Sequence, residues 1–246
     1  MARRRFFAPP EAFHQKTVVL QADEAKHLRE VLRLKPGDQV YVFNGIGNEY
    51  LCTVVQAKRE ESTLEISEEV DPPSIESPLK FTLAVALLKG EKFDLVVQKA
   101  TELGINKIIP VMTRHADIHL RDASDAHKRV IRWRRIALEA AKQCGRASLP
   151  EIQEPISLET MIAEVESELL VLFSEREGQS LSDSLSNKVE SVAALVGSEG
   201  GWAKEELTMA QESGWKIVTL GGRILRAETA AITVSALIQH AYGDLR

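Results

Sequence analysis

From residue 79 onward, apolar runs of strand length alternate with segments of helical period. This alternation constrains the chain more than any other feature. The runs fall at 81–88, 107–112, 169–173, 192–196 and 216–220. Between them, Phe93, Val96, Val97, Ala100 and Leu103 share one helical face. A second helix spans roughly 126–144, and a third follows Ala203. The last runs from about 227 to 242, with Ala230, Ala231, Val234, Leu237, Ile238 and Ala241 facing inward. Near-continuous apolar strands are buried on both faces, and parallel neighbours need long helical crossovers. The pattern therefore predicts an α/β fold with a mainly parallel sheet covered by helices on both faces.

The first part of the chain has a different texture. Val18-Val19-Leu20 reads as a short strand, and Asp23 can cap a helix carrying Ala25, Leu28, Val31 and Leu32. Pro36-Gly37-Asp38 is a turn, and 44–48 is a hairpin connection between alternating segments around Val40, Val42, Tyr50, Cys52 and Val54. Leu64 and Ile66 give a last strand, so a small β-rich domain is expected. Pro72, Pro73 and Pro78, among polar neighbours, cannot continue a helix or a central strand. The expected organisation is a first domain over 1–70, a linker over 71–78 and an α/β domain over 79–246.

Several function classes are disfavoured at once. The basic start, Arg3-Arg4-Arg5, is followed by Pro9, Pro10, Glu11, His14 and Lys16 rather than by an apolar leader. No stretch approaches a membrane span. Cys52 and Cys144 fit no metal spacing and read as reduced thiols of a cytoplasmic protein, with no metal expected. His119, His127 and His240 have no partner pattern and read as ordinary histidines. The net charge of −5 is unevenly spread: +4 over residues 1–35, −7 over 36–78, +7 over 79–150 and −9 over 151–246. The two basic blocks form either a nucleic-acid face or merely solvated helix surfaces.

The most informative stretch is Leu195-Val196-Gly197-Ser198-Glu199-Gly200-Gly201-Trp202, where a buried strand enters a glycine turn and then a helix. Glycines admit positive φ and let backbone N–H groups approach a ligand. A second loop, Leu220-Gly221-Gly222-Arg223-Ile224-Leu225-Arg226, again joins strand to helix. In α/β sheets ligands bind beyond the carboxyl ends of strands, so two such turns could line one pocket. Neither a dinucleotide fingerprint after an early strand nor a P-loop is present. Glu199 in the first loop suits phosphates poorly. A neutral or cationic adenosine ligand is favoured over a nucleoside triphosphate.

The motifs G-S-E-G-G-W-x-x-x-E at 197–206 and L-G-x-R-I-L-R-x-E-T-A at 220–230 resemble the paired signatures of RsmE-type 16S ribosomal RNA uridine N3-methyltransferases. Lys89-Gly90-Glu91-Lys92, Lys99-Ala100-Thr101-Glu102-Leu103-Gly104 and Arg33-Leu34 resemble that family too, so the likeness spans almost the whole chain. One departure is Ser198, where proline is common, and little effect is expected from it. The resemblance implies a SPOUT-type trefoil-knotted domain, an exception to the rule against knots. It also implies a PUA-like β-barrel at the N-terminus, S-adenosylmethionine as cofactor, a homodimer, and 16S rRNA of the small ribosomal subunit as partner. Related knotted enzymes acting on transfer RNA or on a ribose hydroxyl, and a non-catalytic RNA-binding assembly factor, are the competing readings.

Under that reading, Gly197, Ser198, Glu199, Gly200, Gly201, Leu220, Gly221, Ile224, Leu225 and Arg226 are the candidate cofactor residues, with Phe173 as an apolar wall. Uracil N3 carries a proton, so the site needs a base or a cation that stabilises the developing anion. Arg226 is the candidate cation, because a guanidinium matches a planar uracil edge. Glu199 and Glu228 are the candidate bases. Loop bracing for Glu199 and helix capping for Glu228 are the competing structural roles. Candidate RNA contacts are Arg3, Arg4, Arg5, His27, Arg29 and Arg33 in the first domain. In the second they are Lys89, Lys92, Arg114, His115, Arg132, Arg135 and Arg146.

Overall fold

The computed structural model describes residues 3–118, 120–184 and 188–245. Met1, Ala2 and His119 lie outside the described residues, as do Leu185, Ser186, Asn187 and Arg246. The chain forms two compact units. One comprises Met1–Glu76 with Leu138–Leu149, and the other Ser77–Ala137 with Pro150–Arg246.

The first unit is a curled sheet of β1 (Arg5–Phe7), β2 (Phe13–His14), β3 (Thr17–Gln21), β4 (Gln39–Phe43), β5 (Glu49–Ala57) and β6 (Glu61–Val70). Its order is β1-β4-β5-β6-β3-β2, antiparallel except for the β1–β4 pair. Among the described residues no pairing joins β1 to β2, so the expected barrel is an open sheet rolled around one core. Alternate residues Val18 and Leu20, Val40 and Val42, and Cys52 and Val54 point into that core with Phe6, Leu28 and Leu64. Burial also pushes the Cys52 thiol up to about 12. Both cysteines are free.

The helix expected after Asp23 is shorter than its pattern suggested. Helix α1 covers Ala22–Lys26, with Gln21 rather than Asp23 at its cap. The chain then widens into a π turn over His27–Val31. Widening rotates the apolar stripe off the core: Val31 is 66% exposed and Leu32 is 39% exposed. Arg33 ends the segment at φ 53°, in the left-handed region that most residues avoid.

The second unit contains β7 (Lys80–Ala86), α2 (Lys92–Glu102), β8 (Lys107–Met112), α3 (Ala123–Cys144), β9 (Glu151–Ile152), β10 (Ile156–Ser157) and α4 (Leu158–Glu164). It continues with β11 (Leu169–Phe173), β12 (Gln179–Ser180), α5 (Leu181–Ser184), β13 (Ser191–Val196), α6 (Lys204–Glu212), β14 (Lys216–Thr219) and α7 (Ala227–Tyr242). The end of α3, from Leu138, groups with the first unit. The sheet runs β10-β8-β7-β13-β11-β14-β12, and β9 pairs with β8. Every pairing in it is parallel.

Side chains alternate across this sheet with period two. Phe81, Leu83 and Val85, with Val192, Ala194 and Val196, pack under α2, α3 and α7 through Phe93, Val97, Trp133, Ala231 and Val234. Ala84, Leu172, Ala193, Leu195 and Ile217 face the other way, under α4 and α6 through Met161, Leu207 and Ala210. Helices thus cover both faces, as the apolar runs predicted. Helix α4 was not anticipated: it is short, and its start is marked only by Ser157, whose Oγ accepts from Thr160 N at 3.1 Å. Leu237, 39% exposed, and Ala241 point outward on α7 rather than inward.

Two arginines expected to touch RNA have structural work instead. Arg5 is buried beside Glu49, with Nη2 donating to Glu49 Oε2 at 2.8 Å. It also donates to the carbonyls of Ala141 at 2.9 Å, Lys142 at 3.2 Å and Arg146 at 2.9 Å. The Ala141 and Lys142 carbonyls lie in the last turn of α3, where a cation is favoured. Arg146, 3% exposed, pairs with Glu76 at 2.7 Å. Neither guanidinium is open to a phosphate. Replacing Glu49 by Ala leaves Arg5 as an uncompensated buried charge and should cost about 3–5 kcal/mol. Urea unfolding should show that loss, while the exposed Glu11→Ala control should stay within about 0.5 kcal/mol. Equal midpoints for the two variants would refute the structural role of the Arg5–Glu49 pair.

Candidate active site

Strand order decides how the two glycine loops meet. They follow β13 and β14, which are successive among the long strands of the chain but not neighbours in the sheet, because β11 lies between them. Strands lie ~4.8 Å apart, so the loops spring from points roughly 10 Å apart. The end of β11 forms the floor between them. The result is a cleft of about 340 Å³ at the carboxyl edge, within the size range of small-ligand sites. Phe173 lines it from the end of β11, Ser174, Glu175 and Arg176 from the segment that follows, and 196–200 from the first glycine loop. The second loop contributes Thr219, Leu220, Gly221, Arg223, Ile224, Leu225 and Arg226, and α7 contributes Ala227 and Ala230.

The first loop is held from several sides. Gly201 N donates to Ser198 O at 3.1 Å, closing a turn in which Gly201 takes φ 69°. Trp202 Nε1 donates to Phe173 O at 2.9 Å, and its ring lies against Gly197 so closely that a Cβ there would stand 2.9 Å from Cε2. A Cβ on Gly200 would stand 2.7 Å from the His115 carbonyl oxygen. Glu206, buried in α6, accepts from Ala203 N at 2.9 Å and from Arg114 N at 2.8 Å. The last residue of the first motif therefore joins the start of α6 to the loop after β8.

Charge is concentrated beside the cleft. Lys92 Nζ meets Glu199 Oε1 at 2.5 Å. Partial burial alone would raise the Glu199 pKa, but the Lys92 hydrogen bond, a backbone hydrogen bond and the Lys92 charge outweigh it and hold the carboxyl below its ordinary range. The pair adds stability above the ordinary carboxylate range and loses it as pH falls through the lowered value. The Lys92 pKa is raised, chiefly by the same hydrogen bond; desolvation opposes this, Glu228 adds to it and Arg226 counters it. Glu228, 9% exposed in the first turn of α7, has its Oε2 buried with no hydrogen-bond partner among the described residues. Ser198 Oγ is buried without a partner in the same sense.

Most of the cofactor positions expected from sequence line the cleft: Phe173, Gly197, Ser198, Glu199, Gly200, Leu220, Gly221, Ile224, Leu225 and Arg226. Gly201 does not line it and acts through the turn. Sequence reasoning missed Ser174, Glu175 and Arg176, whose only signal was that they follow an apolar run in the same way as the glycine loops. It also placed Lys92 with the RNA contacts, whereas its partner is Glu199. Of the other basic candidates, Lys89 pairs with Asp117 at 2.8 Å and Arg114 with Glu205 at 3.0 Å. Arg132 pairs with Asp94 at 2.5 Å. Arg3 is part-exposed, meeting Glu49 at 3.3 Å and lying over the Tyr41 ring. His27 is half-buried against Phe6. Arg4, Arg29, Arg33, His115 and Arg135 are exposed.

Comparison with known proteins is consistent with this geometry. A family model described as an RNA methyltransferase domain matches residues 75–239, and one described as an RNA methyltransferase PUA domain matches residues 20–67. Ribosomal RNA small subunit methyltransferase E of Rickettsia conorii is 32% identical over 246 residues, covering 97% of this chain and 96% of its own. The chain belongs to the ribosomal RNA small subunit methyltransferase E family. Another member, from Aquifex aeolicus, is 30% identical over 224 residues and covers 91% of this chain and 94% of its own. The solved structure of the Neisseria gonorrhoeae member, bound to S-adenosyl methionine, matches with a TM-score of 0.89 at 31% identity, covering 99% of this chain and 100% of its own. No described helix of this family member is long and apolar enough to cross a membrane.

Removing the Lys92 charge tests the electrostatics directly. In Lys92→Met, burial of Glu199 is opposed only by the backbone hydrogen bond, so its carboxyl should titrate at higher pH than in the unchanged protein. Carbon-detected NMR titration of the Glu199 side chain reads the midpoint. An unmoved midpoint would mean that Lys92 does not hold Glu199 ionised.

Proposed function

We propose that this protein transfers the methyl group of S-adenosylmethionine to N3 of a uridine in 16S rRNA of the small ribosomal subunit, in the cytoplasm and as a homodimer. The observation that carries the reading is the cleft between the two glycine loops, bordered by Arg226 with Lys92, Glu199 and Glu228 close by. Glycines leave room for the main chain to approach an adenosine, and Phe173, Leu220 and Leu225 offer apolar surface to its ring. The buried, unpartnered Ser198 hydroxyl and the modest volume fit a small polar ligand. The cofactor supplies an electrophilic methyl on a sulfonium.

What remains for the chain is to position uracil and manage its N3 proton. Arg226 at the cleft edge can pair with the uracil edge and stabilise its developing anion. The two carboxylates are not equivalent. Glu199 is paired with Lys92 through Oε1, which favours its ionised, hydrogen-bonded state. Glu228 keeps a buried oxygen free to accept a proton, and its place close to Lys92 and Arg226 suits it to act as the base. Glu199 then serves to fix the loop and Lys92. Exposed Arg4, Arg29 and Arg33 in the first unit, and His115 and Arg135 in the second, are available to RNA phosphates. The surface pairs of Lys89, Arg114 and Arg132 are weak enough to open for the same purpose.

Nucleoside mass spectrometry of unmodified small subunits, incubated with the protein and S-adenosylmethionine, should reveal new 3-methyluridine. Glu228→Gln should lower kcat by about a hundredfold or more while leaving cofactor affinity nearly unchanged. Methylation of a ribose hydroxyl or of transfer RNA would move the substrate assignment. RNA binding without any methyl transfer would refute the catalytic reading.

A further inference from the structure

We propose that Glu175 is a ligand-binding residue of the cleft, whose carboxylate accepts hydrogen bonds from the ribose hydroxyls of the adenosyl cofactor. The inference deepens the cofactor reading above and rests on it. No motif marks this residue, and it reaches the cleft only because β11 lies between the strands that carry the two glycine loops.

Two acids line the cleft, Glu175 and Glu199. Glu199 is paired with Lys92. Glu175 has no comparable partner. Its one ion pair among the described residues is with Arg176, whose Nε stands 3.6 Å from Oε1, beyond hydrogen-bond reach, on a side chain that is itself 83% exposed. No described group donates a hydrogen bond to the Glu175 carboxylate. The Glu175 side chain is 28% exposed, so it has lost much of its hydration and gained no donor from the chain in exchange. Its place is nevertheless fixed. A Cβ on Gly201 would collide with Glu175 Oε1, so the carboxylate packs on the bare main chain of the first glycine loop. Gly201, which does not line the cleft, thereby leaves room for a residue that does.

The chemistry of the carboxylate selects its ligand. It only accepts, and its two oxygens match two neighbouring donors. The vicinal 2′ and 3′ hydroxyls of ribose are such a pair, and acidic residues hold the ribose of dinucleotides in the same manner. Position along the chain favours the ribose over the amino-acid tail. Phe173 offers its ring to adenine, and Glu175 follows two residues later, roughly 7 Å of extended chain. Ribose is the group attached to adenine, whereas the tail lies beyond it.

Calorimetric titration of the full-length protein and of Glu175→Gln tests this with S-adenosylmethionine, S-adenosylhomocysteine, 5′-methylthioadenosine and the 2′,3′-dideoxy form of the last. Glutamine keeps the shape packed on Gly201 and loses the charge and one acceptor. The Kd of each of the first three should weaken by about tenfold or more, the effect of hydrogen bonds to a charged group. The dideoxy ligand should not distinguish the variant from the unchanged protein, and the unfolding midpoint of the free protein should not fall. An unchanged Kd for 5′-methylthioadenosine, which lacks the amino acid, overturns the ribose contact. An effect confined to S-adenosylmethionine overturns it too, by tying Glu175 to the sulfonium charge. A dideoxy ligand as sensitive to the substitution as its parent moves the contact to adenine and has the same consequence. Lost stability with intact affinity reduces Glu175 to a brace of the first loop. Unchanged protein that binds none of these ligands refutes the cofactor reading itself, whereas tight binding that Glu175→Gln leaves intact refutes only this contact.

Discussion

Burial of the central strands on both faces is the constraint from which the rest of the second unit follows. Val85 and Ala84, or Val196 and Leu195, send neighbouring side chains into opposite cores. No face of these strands is left for chemistry, so polar groups collect where strands end. At the carboxyl edge the strand order then does something the chain order conceals. Inserting β11 between β13 and β14 spaces the two glycine loops by one strand and puts Phe173 and Ser174 beneath the gap. Neighbouring strands would have brought the loops together and closed the space. The cleft is thus a consequence of topology, with glycines serving to keep it clear.

Much of this unit could be read from sequence, because its signals are local and periodic. Runs such as 107–112 and 169–173 became strands with those bounds, and the last helix spans Ala227–Tyr242 as its pattern suggested. Signals failed where geometry departs from an ideal period or where the deciding fact is non-local. The π turn at His27–Val31 turned Val31 and Leu32 outward, because a wider turn advances side chains by less than the α-helical step. Leu237 and Ala241 lay at the margin of the α7 stripe and went to solvent. Ser174 to Arg176 carry no motif, and only the sheet order brings them to the cleft.

The arginines show why composition alone could not find an RNA surface. Arg3, Arg4 and Arg5 are consecutive, yet their environments differ sharply. Arg4 is exposed, while Arg5 is sealed against Glu49 and the carbonyls that end α3. Arg4 precedes β1, whose first two residues, Arg5 and Phe6, are both buried, so partners rather than strand period set the difference. Arg146 likewise disappears into Glu76. A positive block in the sequence counts charges, but a phosphate meets only those left in water without a strong partner. Subtracting Arg5 and Arg146 thins both basic blocks.

The two carboxylates near the cleft make the same point about acids. Glu199 sits inside the more conspicuous motif and lines the cleft, and the sequence offers it and Glu228 as candidate bases alike. Its oxygen is instead held by Lys92, and accepting a proton would require breaking a charge-assisted hydrogen bond. Glu228 looks like a routine acid in the first turn of a helix, where the dipole alone would justify it. Dipole compensation, however, does not require burial, and an exposed carboxylate would serve it without desolvation cost. A nine-tenths buried Glu228 with an unpartnered oxygen carries a penalty that helix capping does not explain.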